Sequence, residues 1–299
     1  MRYPQSVQIV EVGPRDGFQN INEWIPTDVK LRIIEGLVRA NLQHIEVTSF
    51  VHPKAIPQMK DAQEIIQKVL KEYPTTEFVA LVPNMYGARA AWNCGVKKIT
   101  YVISASDEHN KANVNRTIPE SFVELTQIIE ELPEIKVKLS IATAFGCPYK
   151  GKVAVEDVNK MINAALGLGI NDICLCDTIG IANPLQMQHV IEAIKKEHNK
   201  IELGLHLHDT RGLGVANTIV AMQSGITKFE TAIGGLGGCP FAPGAAGNTS
   251  SEDLINMLES MGIYTGIDLP LLLDVVGIVK DKIKPDLTSR MIHVGKQKD

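Results

Sequence analysis

Two histidines alternate with leucines in the segment Leu203–Asp209, which reads Leu-Gly-Leu-His-Leu-His-Asp. Side chains alternate between the faces of a β-strand, so His206 and His208 share one face and the leucines lie on the other. Two imidazoles in this arrangement are close enough to bind one metal ion. Two histidines hydrogen-bonded in the core are the alternative. Because carboxylates fall at the ends of neighbouring predicted strands, the pattern favours a metal site.

Such an ion needs further ligands, and the best oxygen donors are Asp16 and Asn248. Two imidazoles, one carboxylate and one amide oxygen form a mostly hard, weakly charged set. With water and substrate, this set suits an octahedral Mg²⁺ or Mn²⁺ better than structural zinc, which prefers thiolates and a closed tetrahedron. The sequence therefore predicts a divalent cation bound by these four side chains.

Three further charged residues accompany the predicted ligands. Arg15 adjoins Asp16, and a guanidinium there suits an oxyanion forming on a bound carbonyl, although such a pair is usually a solvated loop. Glu46 lies in an apolar run, so its carboxylate needs a partner, and Arg15 or a ligand histidine is the natural candidate. For Asp177, an acid–base or supporting role and a helix N-cap are equally open.

A glycine-rich segment, 234–248, surrounds a single cysteine, Cys239. Its glycines and prolines exclude a regular helix or strand, and loops of this length in compact domains are often functional. We expect Cys239 to be a reactive thiol and the glycines to act as a hinge, rather than the segment being a plain linker. Together, a divalent ion, an arginine, carboxylates and a thiol suit the making or breaking of a carbon–carbon bond beside a carbonyl.

Eight short apolar runs alternate with amphipathic runs and would position these residues. Strands are predicted at 7–12, 44–48, 78–82, 98–103, 137–142, 172–176, 202–208 and 228–232. Helices are predicted at 27–39, 57–70, 84–93, 119–132, 155–168, 184–198, 212–224 and 251–261. Eight such units predict an α/β fold, a single (β/α)8 TIM barrel, and the absence of an early Gly-x-Gly-x-x-Gly argues against a doubly wound sheet. The candidate residues then fall at the carboxyl ends of strands, where barrels carry their active sites.

The domain prediction is one catalytic domain over 1–299, with the barrel at about 7–262 and a helical extension at about 263–290. One extra helix is expected at 269–283. The exterior helices and this extra helix offer a surface on which a homodimer could form.

Composition narrows the class of protein. The 299 residues are 44% hydrophobic with a net charge of −4 and no basic block, which argues against nucleic-acid binding. No apolar run is long enough for a membrane span, and no leader pattern precedes the first strand. Five scattered cysteines suggest free thiols in a reducing cytoplasm, and the pair Cys174 and Cys176 is better explained by burial in a strand than by zinc.

Four motifs in order along the chain resemble the 3-hydroxy-3-methylglutaryl-CoA (HMG-CoA) lyase family. The Arg-Asp motif and the His-x-His motif are shared with a wider superfamily that includes isopropylmalate and homocitrate synthases. The glycine-rich cysteine loop followed by Pro-Gly-Ala-x-Gly-Asn is more specific to the lyases. The motifs are Glu11–Asn20, Ile45–Phe50, His206–Thr210 and Gly234–Pro240.

The resemblance implies cleavage of HMG-CoA to acetyl-CoA and acetoacetate with Mg²⁺ or Mn²⁺, and therefore an acyl-CoA substrate. It places four residues on the metal: Asp16, His206, His208 and Asn248. The first two of these are also the candidate proton-transfer groups. Arg15 would stabilise the enolate oxygen, Cys239 would be a catalytic thiol on a mobile loop, and Glu46 and Asp177 would be supporting acids.

Three other functions share some of these features. A Claisen-type acyltransferase would be favoured by a large C-terminal regulatory domain, for which this chain ends too soon. In metal-dependent hydrolases the His-x-His motif usually lies on the first strand, whereas here it lies on the seventh. A barrel that binds a ligand without turnover would not need the full set of polar residues. The mitochondrial leader and C-terminal cysteine of some family members are not found here, so a cytoplasmic enzyme is expected.

Overall fold

Eight parallel strands, in chain order, close into a barrel in the computed structural model, which describes residues 3–238 and 247–294. The last strand pairs with the first, with Gln8 opposite Lys228 and Glu11 opposite Thr231. The strands are β1 Gln8–Glu11, β2 His44–Ser49, β3 Glu77–Leu81, β4 Lys98–Ser104, β5 Lys136–Ala142, β6 Asp172–Asp177, β7 Glu202–Leu207 and β8 Lys228–Thr231. The predicted TIM barrel is confirmed, and each strand overlaps its predicted range.

Apolar and β-branched residues dominate these strands because both faces of a barrel strand are covered. Ile45, Ile99, Leu139 and Leu205 are fully buried between the barrel interior and the surrounding helices. Polar residues interrupt the runs both at the strand ends and inside the strands, as at Glu46, Lys138 and Glu230. Those at the carboxyl ends form the candidate site.

Ten α-helices occur in the described ranges. Each of the nine predicted helices overlaps one of these ten. The helices are α1 Thr27–Arg39, α2 Ala62–Glu72, α3 Met85–Asn93, α4 Asp107–Val114, α5 Ile118–Glu131, α6 Val155–Gly167, α7 Pro184–Glu197, α8 Gly214–Gln223, α9 Ser251–Ser260 and α10 Leu269–Lys282. The run predicted as one helix over 57–70 is divided into a 3₁₀ turn, Pro57–Met59, and α2.

Helix α4 was not predicted, because its sequence Asp-Glu-His-Asn-Lys-Ala-Asn-Val has no apolar periodicity. Its start is nevertheless marked in the sequence. The side chain of Ser106 caps the helix by accepting from the backbone N–H of His109, and two acidic residues follow in the first turn. The helix lies directly after β4, at the end of the barrel that carries the candidate site.

The extra C-terminal helix is confirmed as α10, which packs against α1. A Cβ on Gly36 of α1 would lie 2.5 Å from Val275 Cγ2, so only glycine allows the two helices to approach this closely. We propose that α10 and the residues around it, about 263–290, form an extension of the single barrel domain. Within the described ranges, none of the helices combines the length and the apolar character that a membrane span requires.

Candidate active site

Three predicted metal ligands lie together at the carboxyl end of the barrel. Asp16 belongs to a π-helical turn, Gly13–Gly17, that follows β1, while His206 lies near the end of β7 and His208 just beyond it. One nitrogen or oxygen of each side chain lies within 4.8 Å of the other two, and all three residues are buried. The group, here called the ligand group, has the size and donor types of a site for one cation.

Asn248 lies next to the ligand group, in an isolated bridge opposite His208. Its Nδ2 donates to Asp16 Oδ2 at 2.7 Å and to the carbonyl of Leu236 at 2.9 Å. Its Oδ1 and the Nδ1 of His208 are buried without a hydrogen-bond partner among the described residues. Buried polar atoms are rarely left unsatisfied, so these two atoms fit a bound cation beside Asp16.

Gly237 allows Asn248 to take this position. Its φ of +117° is a backbone conformation that glycine adopts readily. A Cβ at this residue would lie only 2.5 Å from Asn248 Nδ2 and 3.5 Å from Asp16 Oδ2. A side chain here would therefore push the amide away from the carboxylate.

Glu230, on β8, holds one of the two imidazoles. His206 Nδ1 donates to Glu230 Oε2 at 2.9 Å, which directs His206 Nε2 toward His208 Nε2, 3.2 Å away. Burial alone would lower the pKa of His206, but the hydrogen bond to Glu230 and nearby negative groups raise it to about 9. Burial and the charge of His206 lower the pKa of His208 to about 4. These opposite shifts place the positive charge of the imidazole pair on His206.

Arg15 joins the ligand group to a second buried carboxylate. Its Nη1 donates to Asp16 Oδ1, and its Nε donates to Glu46 Oε1 at 2.5 Å. Burial opposes the charge on Asp16, but Arg15 and the two imidazoles outweigh it and lower the pKa of Asp16 to about 2. Arg15 is thus the partner of Glu46, as one of the two sequence-based alternatives expected. The neighbouring Arg15 and Asp16 side chains form a buried pair, each residue 8% exposed, and the solvated-loop alternative is wrong.

A cavity of about 300 Å³ opens above these residues. Its polar part includes Arg15, the ligand group and Glu230, and apolar side chains form much of its wall. His109 and Asn113 of α4 also line it, so the helix that the sequence did not predict contributes to the mouth of the site. The apolar wall consists mainly of Val51, Ile56, Leu81, Val82, Pro83 and Val102.

The family model described as HMGL-like matches residues 6–279, which spans the barrel, the ligand group and most of α10. The chain belongs to the HMGL-like family. This family is metal-dependent, in agreement with the ligand group.

Named relatives of this HMGL-like chain are HMG-CoA lyases. The enzyme of Bacillus subtilis is 42% identical over 298 residues, which is 99% of each chain. The human mitochondrial enzyme is 38% identical over 96% of this chain and 89% of its own length. The solved HMG-CoA lyase of Acinetobacter baumannii, in complex with coenzyme A and 3-methylmalate, has a TM-score of 0.93 and 38% identity, covering 100% of this chain and 98% of its own.

Sequence reasoning missed two charged residues of this HMGL-like site, Lys138 on β5 and Glu230 on β8. The ammonium of Lys138 contacts both Glu46, at 3.0 Å, and Glu230. The available signal was the same as for Glu46, a charged residue inside an apolar strand that requires a partner. Sequence alone does not show that the three residues meet, because their strands are far apart along the chain.

Asp177, the last residue of β6, has a role in the following loop. Its carboxylate accepts from the backbone N–H groups of Ile181 and Ala182 at 2.9 and 3.0 Å. The N-cap of α7 is instead Asn183, whose side chain accepts from the N–H of Gln186, so the N-cap alternative for Asp177 is wrong. Burial raises the pKa of Asp177. An acid–base role for it stays a prediction.

Cys239 lies outside the described residues, so its predicted role stays a prediction. The described residue before it, Gly238, lines the cavity. The remaining four cysteines, Cys94, Cys147, Cys174 and Cys176, are free thiols, and the last two are buried in β6 as expected.

Proposed function

We propose that this HMGL-like protein is a carbon–carbon lyase that cleaves HMG-CoA to acetyl-CoA and acetoacetate with Mg²⁺ or Mn²⁺. The observation that carries the proposal is the ligand group beside Arg15 in one cavity, within a chain 38–42% identical to HMG-CoA lyases over nearly its whole length. In the reaction, the C2–C3 bond of the substrate breaks and the C3 hydroxyl becomes the ketone of acetoacetate. The bonding electron pair goes to the enolate of acetyl-CoA, whose C2 is then protonated.

Asp16, His206, His208 and Asn248 would hold the cation through one carboxylate oxygen, two imidazoles and one amide oxygen. When bound, the cation supplies Lewis acidity toward the substrate's hydroxyl and carbonyl oxygens. This donor set is harder than a thiolate site, which is why we assign Mg²⁺ or Mn²⁺. The unsatisfied Asn248 Oδ1 and His208 Nδ1 support a bound cation at this position.

Arg15 would stabilise the enolate oxygen of the thioester. It is held for this task, because Glu46 and Asp16 each accept one of its hydrogen bonds and burial removes competing water. Asp16 or His206 would accept the proton of the C3 hydroxyl, and Cys239 would act as the catalytic thiol. Glu46 would support Arg15, and Asp177 would support the loop after β6.

An acyl-CoA partner fits the apolar wall of the cavity, with the CoA end near the barrel mouth. We also propose a cytoplasmic location, for which four free thiols in the described ranges provide support. A homodimer through the outer helices is proposed as well. Leu185 of α7 and Leu271 of α10 are exposed there, and light scattering would measure the mass in solution.

The direct test is acetoacetate release from HMG-CoA by the purified protein. We expect release with Mg²⁺ or Mn²⁺, loss with EDTA, and recovery when metal is added in excess. Consumption of acetyl-CoA and a 2-oxo acid with release of CoA, in place of lyase activity, would instead identify a Claisen-type acyltransferase.

A further inference from the structure

A continuous chain of buried charges crosses the barrel interior from Arg15 to His206. Arg15 contacts Glu46 of β2, Glu46 contacts Lys138 of β5, Lys138 contacts Glu230 of β8, and Glu230 contacts His206 of β7. None of these five residues is more than 8% exposed. Lys138 is the central member and connects the arginine side of the site to the metal side.

Each glutamate divides its two oxygens in the same way. Glu46 uses Oε1 for Arg15 and Oε2 for Lys138, with Thr100 as a further donor to Oε2. Glu230 uses Oε2 for His206 and Oε1 for Lys138. Since a carboxylate is planar, fixing one oxygen at Lys138 also fixes the direction in which the other receives its hydrogen bond.

The ammonium of Lys138 lies between the two glutamates and contacts both of them. The second partner of Glu46 is Arg15, and that of Glu230 is His206. Without the ammonium, two buried carboxylates would lose the cation between them, and each would be free to turn away from its second partner.

We propose that Lys138 is a positioning residue. Its ammonium holds Glu230 against His206 and Glu46 against Arg15, so that the metal-binding imidazole and the guanidinium face the same cavity in fixed orientations. Lys138 itself is absent from the cavity lining and acts only through the two glutamates. Partners that orient a metal-ligating histidine typically affect metal affinity by about 10–100-fold.

If Lys138 only stabilised the fold, its loss would lower the melting temperature without changing Mn²⁺ affinity. A second lysine of the barrel provides the control. Lys98 of β4 also bridges two carboxylates, Glu77 at 3.1 Å and Asp172 at 3.0 Å. These residues surround a separate cavity that the ligand group does not line. Lys98→Met therefore breaks a more exposed two-carboxylate bridge in the same barrel without touching the site.

The experiment measures Mn²⁺ affinity of the full chain by electron paramagnetic resonance, without substrate, together with the melting temperature. We expect Lys138→Met to weaken Mn²⁺ binding by about tenfold or more, and Lys138→Arg, which can still bridge two carboxylates, to restore most of it. Lys98→Met should lower the melting temperature but leave Mn²⁺ affinity unchanged. Glu230→Gln, which keeps the side-chain volume, should weaken Mn²⁺ binding even if Lys138→Met does not fold.

The proposal would be overturned if Lys138→Met bound Mn²⁺ as tightly as wild type. If Lys138→Met does not fold, wild-type Mn²⁺ affinity in Glu230→Gln would overturn it. The inference rests on the metal site of the proposed function but not on its substrate. The two can be told apart. If Mn²⁺ binding depends on Lys138 but the protein does not cleave HMG-CoA, the positioning role is supported and the lyase assignment is wrong.

Discussion

The carboxylate of Glu11 accepts a hydrogen bond from the backbone N–H of Ile233 at 2.8 Å, which joins two residues 222 positions apart. The same oxygen, Oε1, accepts from the N–H of Gly13 at 2.7 Å, and Oε2 accepts from the hydroxyl of Ser251. Glu11 thus ties the turn that carries Arg15 to the start of the glycine-rich segment. It stabilises the relative position of two loops without touching the cavity.

Glu11 should make stability depend on pH. Burial raises its pKa from the ordinary value of 4.5 to about 7. The unfolded chain releases this proton near pH 4.5 and the folded chain only near pH 7, so the carboxyl lowers stability as pH rises between these values. The cost by pH 8 is about 3 kcal/mol. In Glu11→Gln this dependence is absent.

Urea unfolding of wild type and Glu11→Gln between pH 4.5 and 8 measures the effect. The difference in unfolding free energy should move in favour of the Gln variant as pH rises, because Glu11 releases its proton in this range only in wild type. Loss of the Glu11 charge also removes its repulsion of Glu252, which acts in the same direction. A difference that stays constant with pH would show that Glu11 titrates alike in the folded and unfolded chains.

Much of the site could be predicted from local sequence because it depends on strand alternation and strand ends. His206 and His208 share a face by the alternation of a strand, and Asp16 follows the first strand closely enough to be placed at the same end of the barrel. These relations hold for any closed barrel of eight βα units.

The remainder depends on contacts across the barrel. Glu46 was expected to have a cationic partner, but Lys138 is 92 positions away along the chain. The two meet only because β2 and β5, with β3 and β4 between them, both belong to the closed barrel. Glu230 was not singled out, although it is as buried as the ligand histidines. Local periodicity carries no information about which interior charges meet.

Asn248→Ala should weaken metal binding. The variant loses an unsatisfied amide oxygen beside the ligand group and the donor to Asp16 Oδ2. We expect a loss of Mn²⁺ affinity of at least about tenfold, measured by titration without substrate. Asn183→Ala, which removes the N-cap of α7, is the control and should lower stability by about 1 kcal/mol with metal affinity retained. Equal affinities in both variants would remove Asn248 from the site.

Gly237→Ala should damage the site more than an equivalent change elsewhere. Its Cβ would meet Asn248 Nδ2 at 2.5 Å in addition to the strain of a positive φ. Gly212→Ala is the matched control, because Gly212 also has a positive φ, of 70°, but a Cβ there would meet nothing within 4 Å. Both variants should lose about 1 kcal/mol of stability from backbone strain. Only Gly237→Ala should also lose Mn²⁺ affinity and lyase activity.

Arg15→Gln should lower turnover with a smaller change in KM. A neutral amide cannot supply the charge that stabilises the enolate oxygen, and the loss of such a donor costs about 10²–10³-fold in kcat. Steady-state kinetics on HMG-CoA measures the two parameters separately. Arg89→Gln removes an exposed ion pair with Glu131 and should leave both parameters unchanged. A rise in KM with kcat retained would assign Arg15 to substrate binding alone.

Cys239→Ala tests the proposed catalytic role of the thiol in the glycine-rich segment. If the thiol takes part in proton transfer, its loss lowers kcat, whereas KM and Mn²⁺ affinity stay near their wild-type values because the ligand group is intact. Cys94→Ala, at the end of α3, is the control for loss of a partly exposed thiol and should retain full activity. Acetoacetate release at saturating HMG-CoA gives kcat for all three proteins. Unchanged turnover in Cys239→Ala would mean that the proton is carried by the remaining groups, and Asp16 and His206 would then be the residues to vary.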